Sequence, residues 1–203
     1  MSGRKRLCYT EVMVKIKKTF STALVLGYFL GIAGIGFLRG DYEILVLMDW
    51  LQVLLLLAGG IFGWIIVWLD RLVYIYWSHP EAQLSQYARY YFTKKNWKAG
   101  INLMEQRKAE FKELTFRSVL FQVAWVVLAV FALTSVASIF GKAMVIGLGL
   151  RILYGEWRDY LKDKKTLKRW LFWQIKREIS NEELKWYLYV MTGIFVWLTW
   201  LLI

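Results

Sequence analysis

The stretch 117–157 constrains the fold more than any other part of this chain. It is about twice as long as the roughly 20 apolar residues that cross a bilayer core. The charged residues in its interior are Lys142, Arg151 and Glu156. Gly141, next to the first of these, is typical of a tight turn at a membrane interface. The pattern predicts a transmembrane hairpin, with span three over 118–138 and span four over 143–157.

The second arm of this hairpin is short. A helix over 143–157 rises only ~23 Å, less than the ~30 Å of a bilayer core, and it carries Arg151 near its middle. Two alternatives therefore remain open at the level of sequence: a re-entrant loop, and one overlong tilted helix.

The distribution of lysine and arginine favours the hairpin. Six of these residues precede the first apolar run, nine lie in 70–117 and nine lie in 156–185. Cytoplasmic loops collect Lys and Arg. Five spans with a cytoplasmic N-terminus place all three groups on one side, whereas four spans would place the last group outside.

The predicted fold class is all-α: a polytopic transmembrane helix bundle in the cell (inner) membrane. A mean hydropathy of +0.40 over 203 residues and apolar runs of this length are not those of a soluble domain. The predicted segments are a basic cytoplasmic or interfacial segment (1–19), spans one and two (20–77), a cytoplasmic helical hairpin (78–117), the transmembrane hairpin (118–157), a basic interfacial amphipathic helix (158–183) and span five (184–203).

Composition also argues against several kinds of chemistry. Cys8 is the only cysteine and His79 the only histidine, which leaves little for a metal or a catalytic base. No phosphate-binding glycine loop or nucleophile elbow is present. We therefore predict no catalytic residues, no metal, no cofactor and no enzymatic activity. The net charge of +12 is what positive-inside sorting produces, so we attribute it to anionic lipid and not to nucleic acid.

Two cytoplasmic elements are candidates for binding partners. In the hairpin, Asn96 is a predicted helix N-cap, as is Ser78 with Glu81 three residues later, and we predict a protein partner at 80–115. The basic helix resembles helices that lie in the headgroup plane, with anionic lipid as its ligand. Its candidate binding residues are Trp170, Trp173, Lys168, Arg169, Lys176 and Arg177. Packing against the hairpin is the alternative. Ser180 with Glu183 predicts the start of span five.

Small residues mark predicted helix contacts. Gly27 with Gly31 in span one, and Gly59 with Gly63 in span two, have the spacing that lets helix backbones approach closely. Either pair could form a homo-oligomer. Packing of spans one and two within one chain explains the same pattern.

Arg151 is the candidate for a functional cation within a span, because charged residues at that depth usually face protein or water. Its predicted partners are Gln122 or another polar residue of span three, a carbonyl oxygen or a partner chain. Snorkelling to the phosphate layer is the alternative.

These features favour a non-enzymatic membrane scaffold or assembly factor. Spans two to four also resemble, in their order alone, YidC-type membrane-protein insertases: an inward span, a cytoplasmic helical hairpin and two spans joined outside. That resemblance covers roughly half the chain and implies a biogenesis factor with a lipid-open groove. An oligomeric channel or transporter with Arg151 near its path is the other alternative.

The topology is directly testable. We expect reporter fusions after Thr93 and after Lys165 to report the cytoplasm, and a fusion after Lys142 to report the opposite side. A fusion after Lys165 that reports the outside would replace five spans by four.

Overall fold

The protein is helical throughout the part of the chain that the computed structural model describes. The described residues are 23–39, 47–107, 111, 115–174, 177 and 179–203. The helices are α1 (Ala23–Arg39), α2 (Leu47–Val73), α3 (Gln83–Thr93), α4 (Trp97–Gln106), α5 (Val119–Thr134), α6 (Ile139–Lys162), α7 (Lys164–Leu171) and α8 (Asn181–Leu202). A π-helical turn (Tyr74–Ser78) continues α2, and a short 3-10 helix (Thr115–Arg117) precedes α5. The predicted all-α class is confirmed for these residues.

Within the described residues, two helices are long and apolar enough to cross a membrane. They are Asp49–Ser78, with a mean hydropathy of 2.2, and Asn181–Leu202, with 1.2. The helices Ala23–Arg39 and Val119–Thr134 are apolar but shorter. Of the five predicted spans, these two meet the criteria of length and composition.

The long apolar stretch is broken between α5 and α6, at residues 135–138. The tight turn predicted at Gly141 and Lys142 is wrong, because both residues lie in the first turn of α6. Ser138 caps α6, and its hydroxyl accepts a hydrogen bond of 3.3 Å from the backbone N–H of Gly141. The second arm therefore begins four residues earlier than predicted and continues past 157 to Lys162. The residues 158–162 belong to this helix and not to a separate basic helix.

Helix α6 packs directly against α2, and glycines make the contact. A Cβ atom added at Gly63 would lie 1.9 Å from the carbonyl oxygen of Met144, and one at Gly147 would lie 2.3 Å from that of Gly60. Because the residue numbers increase together in the two helices, α2 and α6 run parallel. Close approach of this kind is how helices associate where lipid provides no hydrophobic drive.

The other long helices surround this pair. Trp125 of α5 donates a hydrogen bond of 3.0 Å to the carbonyl oxygen of Val145, and Tyr28 of α1 lies 2.6 Å from the Thr199 hydroxyl of α8. Phe29 fills the space beside Gly60. The main core consists of apolar residues from all five helices, among them Phe29, Leu56, Trp125, Ala129, Ile146, Phe195 and Leu198.

The two glycine pairs have different roles. Gly59 and Gly63 face the backbone of α6, which leaves no room there for a second copy of the chain. Added Cβ atoms at Gly27 and Gly31 would meet nothing within 4 Å, so packing of this pair against span two is not found. Homo-oligomer formation through Gly27 and Gly31 stays a prediction.

Helices α3 and α4 form a hairpin with its own small core. Leu84, Ala88, Phe92, Met104 and Phe111 pack on Tyr74 and Ile75 at the end of α2. The Asn96 side chain caps α4 as predicted, accepting a hydrogen bond of 3.3 Å from the N–H of Ala99. The capping box predicted at Ser78 is wrong, because Ser78 ends the π-helical turn and α3 begins at Gln83.

The glycine contact gives a matched pair of substitutions. We expect Gly63→Ala to lower the thermal stability of the purified protein in detergent, by about 1–3 kcal/mol of overpacking. Gly31→Ala is the control and should be neutral or stabilising by about 0.5–1 kcal/mol, since alanine is the better helix former. Equal melting temperatures for the two variants would contradict the α2–α6 contact.

Candidate functional site

A cluster of charged side chains lies at the end of the bundle where α2 and α6 finish and α5 begins. We call it the charged cluster. Its members are Asp70, Arg71, Arg117, Arg151, Glu156, Arg158 and Asp159. They come from α2, α6 and the 3-10 helix before α5, so the cluster joins three separate parts of the chain.

Asp70 connects the end of α2 to the start of α5. Its side chain is only 3 % exposed, and its two oxygens accept hydrogen bonds from the backbone N–H groups of Thr115 (3.2 Å) and Phe116 (3.1 Å). Those N–H groups lie in the first turn of a short helix, where they lack partners within the helix. Asp70 therefore fixes the point at which the chain returns from the α3–α4 hairpin.

Arg117 pairs with Asp159 across the groove between α5 and α6. The guanidinium lies 3.3 Å from the Asp159 carboxylate, with both side chains largely buried, and it also packs over the Trp170 ring at 5.4 Å. Arg158 lies 3.0 Å from the same carboxylate. Burial lowers the pKa of Arg117, and Asp159 opposes that shift. An arginine keeps its proton in either case, so the pair is a charged tether between the 3-10 helix and α6.

Glu156 is the most buried acid of α6. It is 5 % exposed, and its Oε1 accepts a hydrogen bond from the Gln122 side-chain amide. The amide oxygen of Gln122 in turn accepts a hydrogen bond of 2.6 Å from the Tyr187 hydroxyl. Three helices, α5, α6 and α8, thus share one polar network within the bundle.

The second side-chain oxygen of Glu156, Oε2, is buried. Among the described residues, Oε2 has no hydrogen-bond partner. Glu156 lines two small cavities of about 10 Å³ each, one beside Arg117 and Trp170 and the other beside Trp125. A volume of this size holds about one water molecule, so the cavities suit ordered water and are too small for an organic substrate.

Arg151 lies one turn deeper and contacts α2. Its guanidinium sits over the Trp64 ring at 4.8 Å, the geometry of a cation–π interaction. Gln122, predicted as its partner, binds Glu156 and Tyr187 instead. Thr134 bonds to carbonyl oxygens of its own helix. The spacing of α6 alone could not reveal the aromatic partner, because Trp64 belongs to a helix distant in sequence.

The apolar side of the predicted basic helix faces protein. In α7, Leu167 and Leu171 pack on Leu184 and Leu188 of α8. Trp170 is 6 % exposed and lies beside Arg117, not in a lipid-facing position. The basic helix also spans only Lys164–Leu171, which is shorter than the predicted segment.

The other candidate residues of this region are spread over its surface. Trp173 is partly exposed, and the Lys168 ammonium donates a hydrogen bond of 2.6 Å to the carbonyl oxygen of Ile179. Arg177 pairs with Glu183, the residue that completes the predicted capping box of α8 with Ser180. Arg169 is exposed. Lys176 lies outside the described residues.

The sequence analysis did not identify Glu156 and Asp70 as buried acids that link separate parts of the chain through hydrogen bonds. Both sit within a turn of a predicted span boundary, where acids are usually solvated. Within the described residues, no group of three His, Cys, Asp or Glu side chains is arranged to hold a metal ion.

Comparison with known proteins gives no matching family model, no similar curated protein and no similar solved structure.

The Gln122 network can be tested by one substitution. We expect Gln122→Leu to destabilise the protein, because Glu156 and Tyr187 each lose a partner, at about 1–3 kcal/mol for each buried group left unsatisfied. Thr134→Val on the same helix is the control, since its hydroxyl bonds to carbonyl oxygens of its own helix. Thermal unfolding in detergent measures both. A Gln122→Leu variant as stable as the control would show that the network does not hold the helices together.

Proposed function

We propose that the chain is a non-enzymatic integral membrane protein with five spans, acting as a scaffold or assembly factor. Its basic cytoplasmic face binds a protein partner or anionic lipid headgroups. The observation that carries the proposal is the segregation of charge between the two ends of the bundle.

The directions of the long helices support five crossings. The ring of Phe37 on α1 lies 5.9 Å from that of Trp50 on α2, so the end of one meets the start of the other. Helix α5 is antiparallel to α6, since Gln122 meets Glu156 at one end and Trp125 meets Val145 further along. Helix α8 runs with α1, since Tyr28 meets Thr199 and Arg39 meets Ile203 further along both helices. Helices α1, α5 and α8 therefore run one way, and α2 and α6 the other.

Cations are concentrated at one end of this arrangement. Among the described residues, Arg39 and Lys142 are the lysines and arginines at the end where α1 finishes and α6 begins. The others lie at or near the opposite end, together with the α3–α4 hairpin and α7. Positively charged ends face the cytoplasm in membrane proteins, which supports a cytoplasmic location for both elements.

The sides of the bundle suit contact with lipid. Large apolar side chains are exposed along α2, α5 and α8, including Leu54, Phe62, Ile65, Val123, Val127, Phe131, Val190, Val196 and Trp200. Exposed apolar surface of this extent on a soluble monomer would be a liability. In a bilayer it is the surface that lipid tails cover.

The arrangement of Arg151 favours a structural role over an anion path. Its guanidinium is stacked on Trp64, and α2 and α6 touch through their backbones one to two turns away. A residue held in this way stabilises the contact between two helices. The insertase alternative requires a wide lipid-open groove with Arg151 in its wall, whereas the Arg151 guanidinium is packed against the Trp64 ring of α2.

The test uses purified protein with Lys, Leu or Gln at position 151. Anion flux in liposomes and the thermal stability of each variant are measured. We expect no anion flux in liposomes for the parent or any variant. Arg151→Lys should be nearly neutral because an ammonium also binds an aromatic face, whereas Leu and Gln should change stability by no more than about 2 kcal/mol.

An opposite result would identify a channel. Anion flux in the parent that Arg151→Lys abolishes without loss of stability would require the planar guanidinium fork. That outcome would replace the scaffold by an oligomeric channel.

A further inference from the structure

The outward face of the α3–α4 hairpin is rich in exposed aromatic rings. Tyr87, Tyr90 and Trp97 are 55 %, 57 % and 59 % exposed. Two of the rings carry a cation: Arg107 lies over Tyr87 at 6.0 Å, and the Lys94 ammonium lies over Tyr90 at 5.4 Å. We call these five residues the aromatic–basic face.

This face is not a remnant of the hairpin core. The core is complete on the other side, where Ala88 and Met104 are fully buried and pack towards Tyr74 and Ile75. Tyr87 and Tyr90 do not belong to that core, whereas the Trp97 ring borders it, 5.2 Å from the ring of Phe92. A group of exposed rings of this kind marks a contact surface.

The hairpin is held close to the end of the apolar helix α2. Arg89 donates a hydrogen bond of 2.9 Å to the carbonyl oxygen of Tyr76, and its guanidinium lies over the Tyr76 ring at 5.1 Å. Trp77, next in the chain, is exposed. Further along the chain after α4, Asp70 binds the backbone at Thr115. These contacts, before and after the hairpin core, keep it close to the level where α2 leaves the bundle.

The charge of the hairpin suits an anionic surface. The segment 83–107 carries Arg89, Lys94, Lys95, Lys98 and Arg107 against the single acid Glu105. Tyr and Trp rings prefer the headgroup level of a bilayer. Each Lys or Arg near an anionic leaflet adds about 1 kcal/mol of attraction.

We infer that the aromatic–basic face lies on the anionic headgroup layer of the leaflet from which α2 emerges. The rings of Tyr90 and Trp97 sit among the headgroups, and Lys94 and Arg107 contact lipid phosphates. This inference rests on the proposed function and assigns the lipid contact to the hairpin, whereas the sequence favoured the α7 region. Helix α7 has less exposed apolar surface for contact with lipid, because Leu167, Trp170 and Leu171 are buried in the protein.

The test places a fluorescent reporter on the face itself. In a Cys8→Ser background, which removes the only native cysteine, Tyr90→Cys is labelled with an environment-sensitive dye. Lys165→Cys on α7 is labelled in parallel. Each full-length protein is placed in nanodiscs of phosphatidylcholine, with or without phosphatidylglycerol, and with bromine on the upper acyl chains as quencher.

We expect at least about twofold stronger quenching at position 90 when phosphatidylglycerol is present. The difference should shrink between about 50 mM and about 500 mM salt, because salt screens exposed charges over a few ångströms. Adding Lys94→Gln and Arg107→Gln should remove the dependence on phosphatidylglycerol.

The two reporters separate the inference from the proposed function. Quenching at position 165 without quenching at position 90 would overturn the inference and leave a lipid-binding basic face elsewhere. An unquenched label at both positions would contradict lipid binding by either element. An unquenched position 90 that crosslinks to a protein in native membranes would replace lipid by a protein partner.

Discussion

The direct backbone contact between α2 and α6 is the constraint on which the rest of the structure depends. Gly63 and Gly147 bring the two helices so close that a single methyl group would collide with a carbonyl oxygen. Everything else is arranged around this pair, because its parallel direction fixes where both helices end. The charged cluster exists only because those two ends lie side by side. In the proposed membrane location, where apolar surface gives no preference for helix contact, such packing and a few polar bonds determine the arrangement.

The polar bonds of the bundle are few and unequal in kind. Gln122 links α6 to α8 through Glu156 and Tyr187, whereas Arg117 and Asp159 form a charged pair nearer the surface. The Gln122 network favours a single packing of α5, α6 and α8, because another packing would leave a buried polar group without a partner. The pair of Arg117 and Asp159 ties the entrance of α5 to α6. The bundle is therefore held by close glycine packing where α2 contacts α6, and by the Gln122 hydrogen bonds where α5 contacts α6 and α8.

Local features of the chain were predictable, and features that need a distant partner were not. The N-cap at Asn96 and the capping box at Ser180 depend on residues three apart, which sequence displays directly. The Ser78 prediction failed because α2 continues through it. Helix α7 is amphipathic as predicted, but the spacing of its apolar residues does not determine whether Leu167 contacts lipid or Leu184. In the same way, Gly31 and Gly63 each belong to a pair of glycines four residues apart. In the described part of the chain, Gly63 lies against another helix and Gly31 does not.

The position of Asp70 has a consequence for how the protein loses structure. The chain leaves the bundle at Ser78 and returns at Thr115, and Asp70 holds the returning backbone beside the departing helix. The intervening hairpin has a small hydrophobic core, which it shares with Tyr74 and Ile75 at the end of α2. The hairpin is thus joined to the bundle through this core and through the Asp70 carboxylate. Because both attachments lie apart from the glycine contact of α2 with α6, we expect the hairpin to unfold separately from the helices beneath it.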